Sequence, residues 1–178
     1  MEFTVVQGDI ATQRADVLVN AAGTSLQMGS GVAGALRRGA GEAINEAATS
    51  KGPEELGGVA VTDAYDLDAE YVIHAAAMPH FGDGQATADS IRTATRNALE
   101  RADELGSRSM VIPALGCGVA GFPLEEGARL ICQEVAAHDA DSLSDVTFIA
   151  YADSEFETIR EVASEFDAFL GLGSDEKR

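Results

Sequence analysis

The stretch that decides the fold is Ser109-Met110-Val111-Ile112-Pro113-Ala114-Leu115-Gly116-Cys117-Gly118-Val119-Ala120-Gly121-Phe122-Pro123. It opens on a continuous apolar run, with none of the alternation of a strand that keeps one face in water. Such runs belong to strands buried on both faces, the situation of a parallel sheet covered by helices. The chain then passes three glycines and reaches Pro123, after which Leu124, Ala128, Ile131 and Val135 recur at helical spacing. Proline would break a running helix but suits its first turn, so Gly116–Phe122 reads as a loop and Pro123 as a helix start.

The same grammar extends in both directions. Strands are predicted at Glu2–Gln7, Asp16–Asn20, Gly58–Thr62, Glu70–Ala75, Ser109–Ala114 and Asp145–Tyr151. Further helices follow from Ile91, Ala94, Ala98, Leu99, Ala102 and Leu105, and from Phe156, Ile159, Ala163, Phe166 and Leu170; another is predicted over Val32–Thr49. Strands alternating with helices imply a three-layer α/β/α sandwich around a mixed, mostly parallel sheet of about six strands. The first strand, with only a short segment before Asp16, is expected to supply the antiparallel pairing. Residues 1–170 read as one domain, and Gly171–Arg178, small and charged, as a frayed tail.

Composition narrows the function. The 178 residues carry 30 acidic and 12 basic side chains, a net charge of −18. That surface repels phosphate backbones and anionic lipids, so neither nucleic acid nor membrane is an expected partner. No apolar run approaches the roughly 18 residues of a spanning helix and the N-terminus lacks a signal segment, which points to the cytoplasm. Lys51 and Lys177 are the only lysines. Few lysines, many carboxylates and abundant Ala and Gly suit a cytoplasm at molar salt, where short screening lengths tolerate self-repulsion. Cys117 and Cys132 form no CxxC pair and no cluster with the three histidines, so neither a disulfide framework nor a metal is expected.

In open α/β sheets ligands bind beyond the carboxyl ends of the strands. The predicted strands end there on Gly8-Asp9-Ile10, on Asn20-Ala21-Ala22-Gly23, on the Gly116–Gly121 loop and on Tyr151. Gly29-Gly31-Gly34 and Gly116-Gly118-Gly121 both match GxGxxG, the dinucleotide fingerprint. The first begins nine residues after its strand, the second is followed by Pro123, and no acidic residue ends the next strand about 20 positions on. A Rossmann-type NAD enzyme is thus a remote alternative. No Gly-Lys-Ser/Thr occurs, which excludes a Walker A loop. Two glycine loops that open onto helix N-termini, without Lys or Arg in either, can still cradle a diphosphate through backbone N–H groups.

Taken in order, VQGDI (6–10), DVLVNAAG (16–23), GSGVAGALRRGAG (29–41), VIHAA (72–76) and IPALGCGVAGFP (112–123) make the chain resemble a macro domain, the ADP-ribose-binding module, from Glu2 to about Leu170. The resemblance implies that the Asp9 carboxylate accepts from the adenine 6-amino group, assisted by the Ile10 amide, and that Tyr151 stacks on adenine. It implies that Gly116, Cys117, Gly118, Val119 and Ala120 wrap the diphosphate and distal ribose, opposed by Gly31 and Val32. Asn20 matches the first asparagine of an Asn-Ala-Ala-Asn segment that shapes the distal-ribose pocket. The chain departs from the pattern at Gly23, where the second asparagine would stand. It departs again at Ala33, where efficient hydrolases often carry aspartate, and at Ala120, where a bulky aromatic is common.

The resemblance implies ADP-ribose or an ADP-ribosylated protein as partner and no cofactor. Its activity would be hydrolysis of a group on the distal ribose: a mono-ADP-ribosyl ester, ADP-ribose 1″-phosphate or O-acetyl-ADP-ribose. With no evident base, water held between the ligand's phosphate and the Gly116–Ala120 loop would do the chemistry, helped by Asn20 and by His80 on the 78–84 loop. The alternative is a reader module without turnover. Cys117, at a helix N-terminus, is a weaker candidate, as a stabilised thiolate. His74, ending an apolar run, reads as a satisfied structural histidine.

Overall fold

The computed structural model describes residues 1–80, 82–118 and 120–166, and the backbone of 171–172 and 176–177. Its elements are β1 (Glu2–Gln7), a single 3-10 turn (Ile10–Thr12), β2 (Val17–Gly23), α1 (Gly31–Ala40), α2 (Ala43–Thr49), β3 (Val59–Asp63), β4 (Tyr71–Met78), α3 (Ala88–Glu104), β5 (Ser109–Ile112), α4 (Leu124–Ala137), β6 (Asp145–Ala150), α5 (Asp153–Ser164), β7 (Gly171–Leu172) and β8 (Glu176–Lys177). The strands form one sheet in the order β3-β4-β2-β5-β6-β1-β7, with β8 also on β1.

Alternate residues of each central strand feed the two helical layers. Val17, Val19, Met110, Ile112 and Phe148 pack toward α3, α4 and α5, beside Ile91, Leu99, Ile131, Phe156 and Ile159. Leu18, Val72, Val111 and Ile149 pack on the opposite face against Leu36 and Ala40 of α1 and Ile44 and Ala48 of α2. Both faces are covered, which is why these strands read as continuous apolar runs. Among the described residues no helix is long and apolar enough to cross a membrane.

Several expectations need correction. The antiparallel strand is not β1, which pairs parallel with β6 from Glu2↔Asp145 to Gln7↔Ala150. It is β3, antiparallel to β4 at the sheet edge. The reason lies in burial: Phe3, Val5 and Val6 are all covered, as an inner strand requires, whereas β3 alternates between buried and half-buried positions. The single helix over Val32–Thr49 is two, because Gly41 turns the chain at φ +101° with its N–H on the Arg37 carbonyl. The strand at 109–114 stops at Ile112, since Pro113 has no N–H to continue the ladder. Pro123 directly precedes α4 as read. Of the tail, Gly171–Leu172 and Glu176–Lys177 pair with β1; its other residues, and Leu170, lie outside the described residues.

Candidate functional site

The carboxyl ends of the parallel strands β1, β2, β5 and β6 converge on a cavity of about 490 Å³. Nine of the residues singled out above line it: Asp9, Ile10, Gly31, Val32, Gly116, Cys117, Gly118, Ala120 and Tyr151. Val119 lies outside the described residues.

Asp9 stands at the turn after β1. Its Oδ1 accepts from the Ala11 N–H at 2.9 Å and caps the 3-10 turn. One carboxylate oxygen is therefore structural, and Oδ2 is left for another donor beside the Ile10 N–H, which as first amide of the turn has no carbonyl within it to bond. Tyr151 follows β6 and is 78% exposed although it lines the cavity, so its ring is held at the mouth rather than in the core. Gln7 steadies that turn, donating to Tyr151 O at 3.4 Å and Asp153 Oδ1 at 2.6 Å.

The two glycine loops form the facing walls. In the 116–121 loop, Cys117 N–H bonds Ala114 O at 3.3 Å, Gly121 N–H bonds Gly118 O at 3.1 Å, and Phe122 N–H bonds Gly116 O at 3.1 Å. The Gly116 and Gly118 amides take no carbonyl in this set. Gly116 needs to be glycine: its φ is +76°, and a Cβ would lie 2.8 Å from Ala86 Cβ. Gly118 has open space where a Cβ would project. Across the cavity, Ser30 makes no side-chain cap on α1, leaving the first-turn amides of Gly31 and Val32 unpaired at the positive end of the helix.

Cys117 is packed against α4, where a Cβ at Gly127 would fall 2.2 Å from its Sγ, and Sγ contacts Leu115 O at 3.4 Å. Burial, and then the Glu155 carboxylate, push the thiol up to about 12. Desolvation and a neighbouring anion thus both oppose the stabilised thiolate read from the sequence.

Asn20 and His80 are not on the cavity wall. Asn20 is fully buried, its Nδ2 3.0 Å from His74 Nδ1, while His74 Nε2 meets Thr62 Oγ1 at 2.9 Å. Burial, with Lys51 adding a smaller push, lowers His74 to about 4 and keeps it neutral. The triad ties β2, β4 and β3 together, so His74 is the satisfied structural histidine. His80 is exposed on the β4–α3 loop, where its backbone N–H donates to Thr24 Oγ1 at 3.0 Å. That loop explains Gly23, since a Cβ there would meet Pro79 O at 3.2 Å.

Sequence reading missed Arg38 and Glu155, which also line the cavity. The signal for Arg38 was available: Gly31, Ala35 and Arg38 recur at i, i+4 and i+7, one face of α1.

A mixed α/β/α sandwich with a ligand-sized cavity between two glycine loops defines the macro domain class. The macro domain model matches residues 19–131. A macro domain-containing protein of Streptomyces griseus is 36% identical over 164 residues, 87% of this chain and 92% of its own length. An uncharacterised protein of Mycobacterium tuberculosis is 38% identical over all 178 residues, which cover 47% of that protein, so this chain spans about half the length of the mycobacterial relatives it matches. Among solved structures, the Trypanosoma brucei macrodomain in complex with ADP-ribose superposes with TM-score 0.80 at 27% identity, over 90% of this chain and 68% of that one. The Oceanobacillus iheyensis macrodomain with ADP, at 23% identity, shares the fold with TM-score 0.81 over 92% of this chain and 90% of that one. The chain belongs to the macro domain family.

Proposed function

We propose that the cavity binds ADP-ribose, with adenine between Asp9 and Tyr151 and the diphosphate between the two glycine loops. One observation carries this reading: a carboxylate oxygen, an aromatic ring held in solvent and two facing sets of unpaired amides line the same cavity of about 490 Å³. Asp9 Oδ2 and the N–H of the next residue, Ile10, offer an acceptor and a donor, which complement the amino group and ring nitrogen of adenine. Backbone amides supply the phosphate contacts, which suits a chain of net charge −18. The structure of the Trypanosoma brucei macrodomain with ADP-ribose supports the ligand class.

Hydrolysis of a group on the distal ribose fits the same pose, with water positioned by the ligand's own phosphate and the Gly116–Ala120 loop. A reader module without turnover is the second reading. It is favoured by specific observations: Asn20 is tied to His74 away from the cavity, the Cys117 thiol stays protonated and His80 is off the wall. Calorimetric titration with ADP-ribose at high salt, beside NAD, AMP and ATP, tests the binding. Micromolar ADP-ribose with much weaker NAD supports the site, and no heat from a folded sample overturns it. Incubation with an ADP-ribosyl ester, ADP-ribose 1″-phosphate and O-acetyl-ADP-ribose, followed by product analysis, separates hydrolase from reader.

A further inference from the structure

Among the described residues Arg38 is the only basic one on the cavity wall, which also carries Asp9 and Glu155. Arg37, Arg96, Arg101, Arg129 and Arg160 each pair with a glutamate. Arg38 makes no hydrogen bond or ion pair among the described residues, in a chain with 30 carboxylates to choose from. Its side chain lies back along α1: the point where a Gly34 Cβ would stand is 3.2 Å from Arg38 Nη1 and 3.1 Å from Gly29 O. That places the guanidinium beside Gly34, while Arg38, Gly31 and Val32 all line the same cavity. A side chain at Gly34 would crowd both the guanidinium and the Gly29 carbonyl.

A guanidinium and a helix N-terminus on the wall of one cavity suit an anion, and the fork of N–H donors suits two phosphate oxygens at once. We propose that Arg38 pairs with the diphosphate of the bound ligand and so selects diphosphate nucleotides over nucleosides. This rests on the ADP-ribose reading of the cavity. Left without a carboxylate partner, Arg38 need break no ion pair within the chain when the ligand arrives.

The test compares wild type, Arg38→Gln and Arg38→Lys for ADP-ribose, ADP and adenosine, the last by competition, in KCl from about 0.1 to 1 M, over which the screening length falls from about 10 Å to about 3 Å. Arg38→Gln is expected to weaken ADP-ribose and ADP about 10-fold, the scale of one charge-assisted hydrogen bond, with adenosine unchanged and a shallower salt dependence. Arg38→Lys should restore the salt dependence and part of the affinity. Wild-type affinity for ADP-ribose in Arg38→Gln overturns the pairing while the cavity reading stands. Parallel weakening of adenosine also overturns it, by assigning Arg38 a structural role. No binding of ADP-ribose by wild type removes the cavity reading and the pairing with it.

Discussion

Replacing Asp9 separates the two jobs its carboxylate is read to perform. Oδ1 caps the 3-10 turn through Ala11 N–H at 2.9 Å, a contribution of about 1 kcal/mol to stability. Oδ2 is the acceptor offered to adenine, and a hydrogen bond to a charged group contributes about 1.5–3 kcal/mol, or roughly 10- to 150-fold in affinity. Asp9→Asn keeps the cap, because asparagine caps as well as aspartate, but turns an NH2 toward the adenine amino group, donor against donor. Asp9→Ala loses both interactions. Asp9→Asn is therefore expected to unfold at the wild-type temperature while binding ADP-ribose at least about 10-fold more weakly. Asp9→Ala is expected to bind as weakly and to lose about 2–4 °C as well. Titration calorimetry and thermal unfolding on the same samples read the two effects. Wild-type affinity in Asp9→Asn would refute the adenine assignment, and a loss of stability equal to that of Asp9→Ala would refute the cap.

Three further outcomes are expected. Gly118→Glu meets nothing within 4 Å at its Cβ, so the fold should survive while the carboxylate fills the cavity and repels the diphosphate; ADP-ribose binding by this variant would place the phosphates elsewhere. Cys117, held up at about 12, should be thiolate in about one molecule in 10⁴ at pH 8, so a maleimide should label it only after denaturation; fast labelling of the native protein would contradict the packing. His74 is lowered from 6.5 to about 4, so the unfolded chain binds its proton first as pH falls. Its contribution is complete above pH 6.5 and is lost, on the order of 3 kcal/mol, between there and about pH 4. Denaturant midpoints across that range should slope less in His74→Gln, and an unchanged slope would exclude the histidine as the cause.

What the sequence disclosed was local. The apolar runs 110–112 and 146–150, the glycine loop at 116–121 and the helix after Pro123 need only neighbouring residues to be read, and from them come Gly116, Cys117, Gly118, Ala120 and Ile149 of the cavity wall. The direction of β1 was hidden, because its partner β6 lies more than a hundred residues away and a short segment after a strand looks alike whether it forms a hairpin or crosses the sheet. The break at Gly41 was visible only as one glycine in a helical pattern. Asn20 read as a pocket residue from its place in the motif, but which way its amide turns depends on the register that sets it opposite His74. Arg38 and Glu155 were passed over because charges on helices usually face water, and only the assembled layers show which flank meets a cavity.

The close approach of Pro79 O to Gly23 has a consequence for how this protein can change. Main chain from the β4–α3 loop stands 3.2 Å from where a side chain at Gly23 would begin, so an asparagine there must push Pro79 O aside by a few tenths of an ångström. The strand and the loop are therefore coupled: what Gly23 can become depends on how far Pro79 and His80 can yield. An engineer who wants that amide should vary the 79–80 segment together with Gly23, so that the loop can make the room.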